Sequence, residues 1–379
     1  MTLATPVPLI SRNASLKDLT DVLRAQHVRK VDLPVHSGQI RATGTRIELT
    51  GTPTILTADG VTTSAGIYLP TEVFDSGLSD KLGIPLPYLR RMREQRPELY
   101  DANVNGWLAG DERRFLVRCL SGDNGPGVAR AFLSDRYKII DNLDVLMATL
   151  DGVRQAGVDV TIDGCDLTER RMYVRIVCKQ VSALAPQLLR NYRSPFTGEV
   201  GADNPVVFSG FVISNSETGA GAFTIVPRLV VQVCRNGMTI NADAMRHVHL
   251  GARLEDGPVR WSAETHDKNL ALVTSQTRDA VSTFLDVDYV TAKLGELTET
   301  ASAEIRHPEK TIQLVAKQLK FTIDQQEEIL RHFIRGGDLT AGGVLHAVTS
   351  AAQTVDDADV AYEMEGQALR AMQLAATGA

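Results

Sequence analysis

Two long apolar, β-branched runs, Val206 to Ile213 and Phe223 to Val233, flank a polar, glycine-bearing stretch. Runs this rich in Val, Ile and Phe read as strands buried on at least one face. The stretch between them, Ser214-Asn215-Ser216-Glu217-Thr218-Gly219-Ala220-Gly221, is built of residues that bond their own backbone or tolerate positive φ. A long hairpin is predicted. Pro227 has no N–H to give to a ladder, so the returning strand is expected to be an edge there or to carry a bulge. Arg235-Asn236-Gly237-Met238 holds the Asn-Gly pair favoured in tight turns, and a third strand through Thr239 and Ile240 is expected after it.

The rest of the chain organises around that hairpin. Residues 1 to 15 read as a flexible lead, and Ser15 is a candidate N-cap for a helix over Leu16 to Gln26. Residues 37 to 69 alternate Ile, Thr and Val, with turns at Gly44, Gly51 and Gly60, and predict a small β-meander. A helical piece from Thr71 to Arg96 is interrupted at Pro85 and Pro87. Strands are expected at Arg114 to Leu120 and Val128 to Leu133, with the turn Ser121 to Gly127 between them. Leu143, Leu146, Met147, Leu150 and Val153 fall at helical spacing and predict a helix over Asn142 to Ala156. Val158 to Ile162 and Arg171 to Cys178 read as a second hairpin turning near Asp163-Gly164, followed by a loop over Ala183 to Asn204.

From Glu264 onward the period changes to helical, with helices expected near 264–285, 309–320, 323–335, 340–353 and 358–376. Thr322 with Gln325 forms a capping box, and Gly336-Gly337 supplies a stop. Strands first and helices last predict an α+β fold, an antiparallel sheet core with long hairpins followed by a helical C-terminal region. The 379 residues divide into an N-terminal α/β segment (1–120), a β-rich core (121–260) and the helical region (261–379).

Several segments together resemble the phage/plasmid-like proteins grouped as "domain of unknown function 932". They are Ala131-Phe132-Leu133-Ser134-Asp135-Arg136-Tyr137 with Asp141-Asn142, the Ile213 to Gly219 tip, Val233 to Met238, His249-Leu250-Gly251-Ala252-Arg253, and Gly343 to Thr349 followed by an acidic helix. The resemblance spans about residues 128 to 375 and implies a bacteriophage, prophage or plasmid setting. It implies no settled activity.

Composition bounds the function classes. A net charge of −6 argues against a generally basic nucleic-acid coat and leaves room for a local basic face. Aromatic residues make up 5% of the chain, too few for an extended stacking platform. The four cysteines form no C-x-x-C pair, so buried thiols in a reducing cytoplasm are expected. The N-terminus lacks a basic segment before an apolar core, and neither a signal peptide nor a membrane span is predicted.

For chemistry, the arginine-rich middle of the chain is the main lead. Arg136, Tyr137, Lys138, Arg228, Arg235, Arg246 and Arg253 are the candidate nucleic-acid contacts, tracking phosphates while an aromatic ring stacks on a base. The alternative is that the arginines are scattered on solvated surfaces and paired with Glu94, Glu98, Asp111, Glu112 and Asp135. Asn215, Ser216 and Glu217 are loop-tip candidates for a ligand or an interface, and turn chemistry accounts for every tip residue except Glu217. The tip lacks a G-x-x-x-x-G-K-[ST] cradle and no cofactor is predicted. His247-Val248-His249 lacks a third ligand at a recognisable spacing, so no metal site is predicted. No G-x-S-x-G elbow is present. These features lead to a non-enzymatic, cytoplasmic, homo-oligomeric nucleic-acid-binding protein, with single-stranded DNA binding or annealing in recombination or replication as its concrete form. The alternatives are an assembly or host-interaction protein, and an enzyme with an unrecognised site around Glu217, His247, His249 and Arg253.

Overall fold

The computed structural model describes residues 8–378 except 51–54, 58–59, 63–65, 123–124, 138, 235–236 and 248–262. In chain order, β1 (Ser11–Ala14) leads into α1 (Leu16–Arg29), whose first turn is capped by Ser15 accepting from the Asp18 N–H. Then come β2 (Lys30–His36), β3 (Ile40–Thr43), β4 (Arg46–Leu49), the pair β5 (Ile55–Thr57) and β6 (Gly60–Thr62), and β7 (Gly66–Pro70). Three helices follow, α2 (Glu72–Leu82), α3 (Leu86–Gln95) and α4 (Pro97–Ala109). After these come β8 (Arg114–Leu120), β9 (Gly127–Ser134) and α5 (Asn142–Gln155). The second half opens with β10 (Thr161–Leu167), β11 (Met172–Leu184), β12 (Val206–Asn215), β13 (Phe223–Val231), β14 (Gly237–Thr239) and β15 (Met245–His247). It closes with α6 (Ala263–Phe284), α7 (Val287–Ala301), α8 (Pro308–Leu319), α9 (Ile323–Gly336), α10 (Ala341–Ala352) and α11 (Ala358–Gly378). The chain is α+β, with strands concentrated in the first two thirds and helices in the last.

Two sheets carry the fold. The first is six-stranded, in the order β2-β8-β9-β7-β4-β3, antiparallel except for the β7/β9 pair. One of its faces packs under α2, α3 and α4, where Phe74, Leu89, Tyr100, Val104, Phe115 and Phe132 form a buried core. The second sheet is seven-stranded, in the order β1-β10-β11-β12-β13-β14, with β15 also on β13. Its inner face, carrying Val174, Ile176, Phe211, Ile213, Phe223 and Ile225, is covered by α1, α5 and α6. The C-terminal helices form their own core with the far ends of β12 to β14.

The predicted hairpin is β12/β13, paired from Val207↔Val231 to Ser214↔Thr224. Pro227 is not in a bulge, and on the side away from β12 the strand is locally an edge there. It sits in the gap between β14, which pairs Arg228 to Val230, and β15, which pairs Phe223 to Ile225. The Pro227 carbonyl accepts from the Ile240 N–H, and the missing donor falls on that same gap side, where no ladder partner needs it.

Several expectations shift. Residues 11–14 are strand rather than flexible lead, because Asp166 accepts from the Asn13 N–H at 2.7 Å and from Arg12 at 2.7 Å. The second hairpin turns at residues 168–171, and the Asp163-Gly164 site is a register shift within β10 instead. A division at residue 120 falls between β8 and β9 of one sheet, while one near 261 coincides with the start of α6. On α5 the buried stripe is Val145, Leu146, Thr149 and Val153, leaving Met147 half exposed. The Thr322/Gln325 capping box forms as predicted, and Gly337 ends α9 with φ +71°. All four cysteines are buried thiols. No helix among the described residues is long and apolar enough to cross a membrane.

The C-terminal core holds a titratable group that ties stability to pH. His346 on α10 is fully buried, stacks on Tyr192 at 4.2 Å, and lies 3.2 Å from the Leu188 carbonyl. Burial pushes its pKa down from 6.5 to about 4, against the opposing pull of the Leu188 carbonyl. Between those values the unfolded chain takes up a proton that the folded chain refuses, so stability falls on acidification by up to about 1.4 kcal/mol per pH unit. Asp75 acts the other way: burial, only partly offset by Arg93, raises its pKa from 3.8 to about 6. Its contribution is present at low pH and lost as pH rises through 6. The expected result is that His346→Gln flattens the decline in urea midpoint between pH 6.5 and 4 relative to wild type. An unchanged difference across that window would rule out the assignment.

Candidate functional site

Two places bring charged side chains together, and their volumes distinguish them. The first is the joint between the sheets. Arg118 on β8 is fully buried, on the face of the six-stranded sheet opposite its helices. It donates to Asp32 at 2.8 and 3.0 Å, to Asp141 at 2.6 Å and to the Glu217 carbonyl at 2.5 Å. Lys30 reaches Asp141 at 2.6 Å, and Arg130 reaches Glu217 at 2.5 Å and Gln26 at 3.2 Å. Three cations therefore meet three carboxylates. Burial works to lower the Arg118 pKa, but Asp32, Asp141 and Glu217 reverse it and hold the guanidinium charged. Burial also works to raise the Asp141 pKa, and Arg118 with Lys30 outweigh it, keeping the carboxyl well below the usual carboxylate range.

The loop-tip candidates belong to this joint. Asn215 and Ser216 are fully buried and Glu217 is 7% exposed, so the tip does not present them to a ligand. Asn215 donates to the Ile140 carbonyl and the Asn142 side chain. Ser216 Oγ accepts from the Ala220 N–H at 2.8 Å, and its carbonyl accepts from the Tyr137 hydroxyl at 3.1 Å. Glu217, the one tip residue that turn chemistry leaves unexplained, accepts from the Asn142 N–H at 2.8 Å and so caps α5 from a distant strand pair. Asp141 occupies the N-cap position but gives its side chain to Lys30 and Arg118. A second tether of the same kind runs from Glu169, in the β10/β11 turn, to the Glu72 and Val73 N–H groups at the start of α2. The hollows beside the charge cluster are about 20 and 10 Å³, room for about one water each. The joint is structural.

The second place is the outer face of the seven-stranded sheet, where α11 lies across β11 to β13. Tyr173 and Tyr362 pack at 4.6 Å between ring centroids, and the Tyr173 hydroxyl donates to Asp359 at 2.7 Å. Tyr362 engages Ser214 and Thr224, themselves 2.7 Å apart, and burial pushes its pKa to about 12. This tyrosine pair separates two hollows and lines both. On one side is a hollow of about 230 Å³ lined by Arg12, Arg175, Arg228, Asp163, Asp166 and Glu365. Its charges are matched: Asp166 holds Arg12 and Arg175, while Arg228 bonds Asp163 at 3.2 Å and Glu365 at 3.1 Å. On the other side is a groove of about 620 Å³, bounded by the residue 220–222 loop, Thr224 and Val226 of β13, Arg246 of β15, and Asp359, Glu363, Gly366 and Gln367 of α11. That volume is in the range of ligand sites. Arg170 and Arg171 stand at its mouth. Arg171 donates to the Ala220 carbonyl, whereas Arg170 and Arg246 are exposed and make no ion pair among the described residues.

The predicted contact residues do not converge. Arg246 lines the groove. Arg228 is 3% exposed and locked between two carboxylates, so it offers nothing to a phosphate. Arg136 is exposed on the β9–α5 connection and lines neither hollow. Tyr137 is partly buried, with burial raising its pKa to about 12, and its ring is no free stacking surface. Lys138, Arg235, Arg253 and His249 lie outside the described residues, as does the side chain of His247. Many other arginines are paired, including Arg90 with Glu72, Arg93 with Asp75, Arg96 with Glu98 and Arg113 with Asp111, while others, such as Arg24, Arg41 and Arg91, are exposed without an ion pair among the described residues but line neither hollow. Glu217, committed to Arg130 and α5, is not positioned for acid/base chemistry. Among the described residues no group of three or more His, Cys, Asp or Glu could hold a metal ion. Arg170 and Arg171 line the groove from the β10/β11 turn, which the β11/β12 pairing sets beside the hairpin tip.

Fold and site together define a two-sheet α+β protein whose ligand-sized space lies between a sheet face and its last helix. The chain matches no family model, no curated protein and no solved structure.

Proposed function

We propose that this protein binds single-stranded nucleic acid, with the strand seated in the groove between β13, β15 and α11. The observation that carries the reading is the pair of exposed arginines without ion pairs, Arg170 and Arg246, lining one ligand-sized groove. Phosphates would run along Arg170, Arg171 and Arg246 on the sheet side. Base edges would face the donors and acceptors of Asn241, Glu363 and Gln367 on the other wall. A single strand is the proposed occupant because its unpaired base edges are free to meet that wall. Binding of this kind serves recombination or replication in the mobile-element setting that the sequence resemblance implies.

Fluorescence anisotropy with labelled single- and double-stranded oligonucleotides across a salt series tests it. Three phosphate contacts on a single strand predict a log–log salt slope of about −2. Arg170→Glu with Arg246→Glu is expected to weaken binding on the order of 10- to 100-fold and to flatten the slope. Arg136→Glu, away from the groove, is expected to leave both unchanged. Absence of binding at low salt, or binding insensitive to salt, would overturn the proposal.

A further inference from the structure

The outward side of α9 carries two exposed isoleucines among its charges. Its buried side is formed by Ile329, His332, Phe333 and Gly336. Away from that side Ile323 is 76% exposed and Ile334 67% exposed, with Leu330 between them, half-buried and packed on its inner side against the C-terminal core. At about 100° per residue these three fall within a stripe about 40° wide.

The charges beside the stripe are arranged by sign along the helix. Asp324, Glu327 and Glu328 occupy its first half, and Arg331 and Arg335 its second. Glu328 already engages His332 at 3.0 Å and Arg331. Asp324, Glu327 and Arg335 make no ion pair among the described residues. Asp324, Glu328, Arg331 and Arg335 all lie on one flank of the stripe.

We propose that α9 is a dimerisation surface whose occupant is a second copy of this chain, packed antiparallel about a two-fold axis near residue 329. A two-fold interface must be complementary to itself, and this helix is. Placing Ile323 of one copy against Ile334 of the other sets Leu330 beside the aliphatic part of Glu327. In an antiparallel pair each flank meets its own counterpart, so Asp324 faces Arg335 and Glu328 faces Arg331, each contact occurring twice. A parallel pair would set this flank against the partner's other flank, where Gln326 offers no opposite charge. A single helix pair is small for a specific interface, so a weak, concentration-dependent dimer is expected.

Sedimentation velocity on the full chain over a concentration series tests this. Wild type is expected to shift from monomer to dimer by about 100 µM. Ile334→Glu, at an exposed position that leaves the fold intact by circular dichroism, is expected to remain monomeric. Arg335→Asp is expected to raise the dimer dissociation constant about tenfold. Asp324→Arg combined with Arg335→Asp restores opposite charges across the axis and is expected to recover the dimer. A wild-type monomer at every concentration, a dimer that survives Ile334→Glu, or failure of the double exchange to recover association would overturn the proposal. The oligomeric readout is independent of nucleic-acid binding.

Discussion

Arg118→Ala is expected to remove on the order of 3–5 kcal/mol of folding stability, because it empties a buried cation site and leaves the part-buried Asp32, the buried Asp141 and the Glu217 carbonyl without the guanidinium they share. Its side chain is fully buried and holds Asp32, Asp141 and the Glu217 carbonyl at once. Those groups come from β2, the start of α5 and the β12/β13 tip, so one side chain ties three separate segments to the joint. Lys30 still reaches Asp141 in the variant, but Asp32 loses its ion-pair partner. Arg118→Lys is expected to recover little, since one ammonium cannot reproduce a fork spread over three acceptors. Urea denaturation followed by circular dichroism at neutral pH reads the loss. As a reference, Arg113→Ala breaks an exposed pair with Asp111 and is expected to cost no more than about 1 kcal/mol. A loss of similar size for Arg118→Ala would show that the joint is not what holds the sheets together. The depressed pKa of Asp141 adds a pH signature: its contribution is present above its unfolded value and is lost as pH falls through the folded one.

Gly237→Ala is the second large effect, about 3 kcal/mol, through a neighbour rather than a turn. Gly237 lies in β14 opposite Val230, and a Cβ there would overlap the Arg228 guanidinium. Alanine must therefore push Arg228 off Asp163 and Glu365, leaving two carboxylates without their cation. Thermodynamic coupling distinguishes this cause from ordinary strand strain. Once Arg228 is truncated to alanine the clash is gone, so the double variant is expected to be more stable than the sum of the single losses by about 1–3 kcal/mol. Strict additivity would contradict the account.

These two positions also show what the sequence makes legible. The hairpin, the capping box at Thr322 and the order of strands before helices follow from local pattern, because burial on one face imposes a period and turns demand particular residues. Gly237 reads as half of an Asn-Gly turn in sequence, yet its small size serves an arginine on the neighbouring strand, a relation set only by β13/β14 register. Glu217 reads as a free acid at a loop tip, and its partners are 87 and 75 residues away. Two helices, α4 and α7, lie outside the elements expected from sequence, and only α4 carries a weak periodic signal. α4 buries only Tyr100, Val104 and Leu108 amid Asn, Asp and Gly. α7 buries Val290, Leu294 and Ala301 among threonines. The groove is the least legible part, since it depends on where α11 lands on the sheet and on which arginines make no ion pair among the described residues.

The central claim is that ligand binding uses this groove and not the buried Asn215, Ser216 and Glu217 of the hairpin tip. Photo-crosslinking with a single-stranded oligonucleotide carrying 4-thiothymidine, followed by peptide mass spectrometry, tests it most directly. The account predicts crosslinked peptides from residues 170–173, 220–226, 241–246 and 359–367, lost in the Arg170→Glu, Arg246→Glu variant. Crosslinks confined to the six-stranded sheet or to the Arg136 connection, with the groove peptides unmodified, would contradict it.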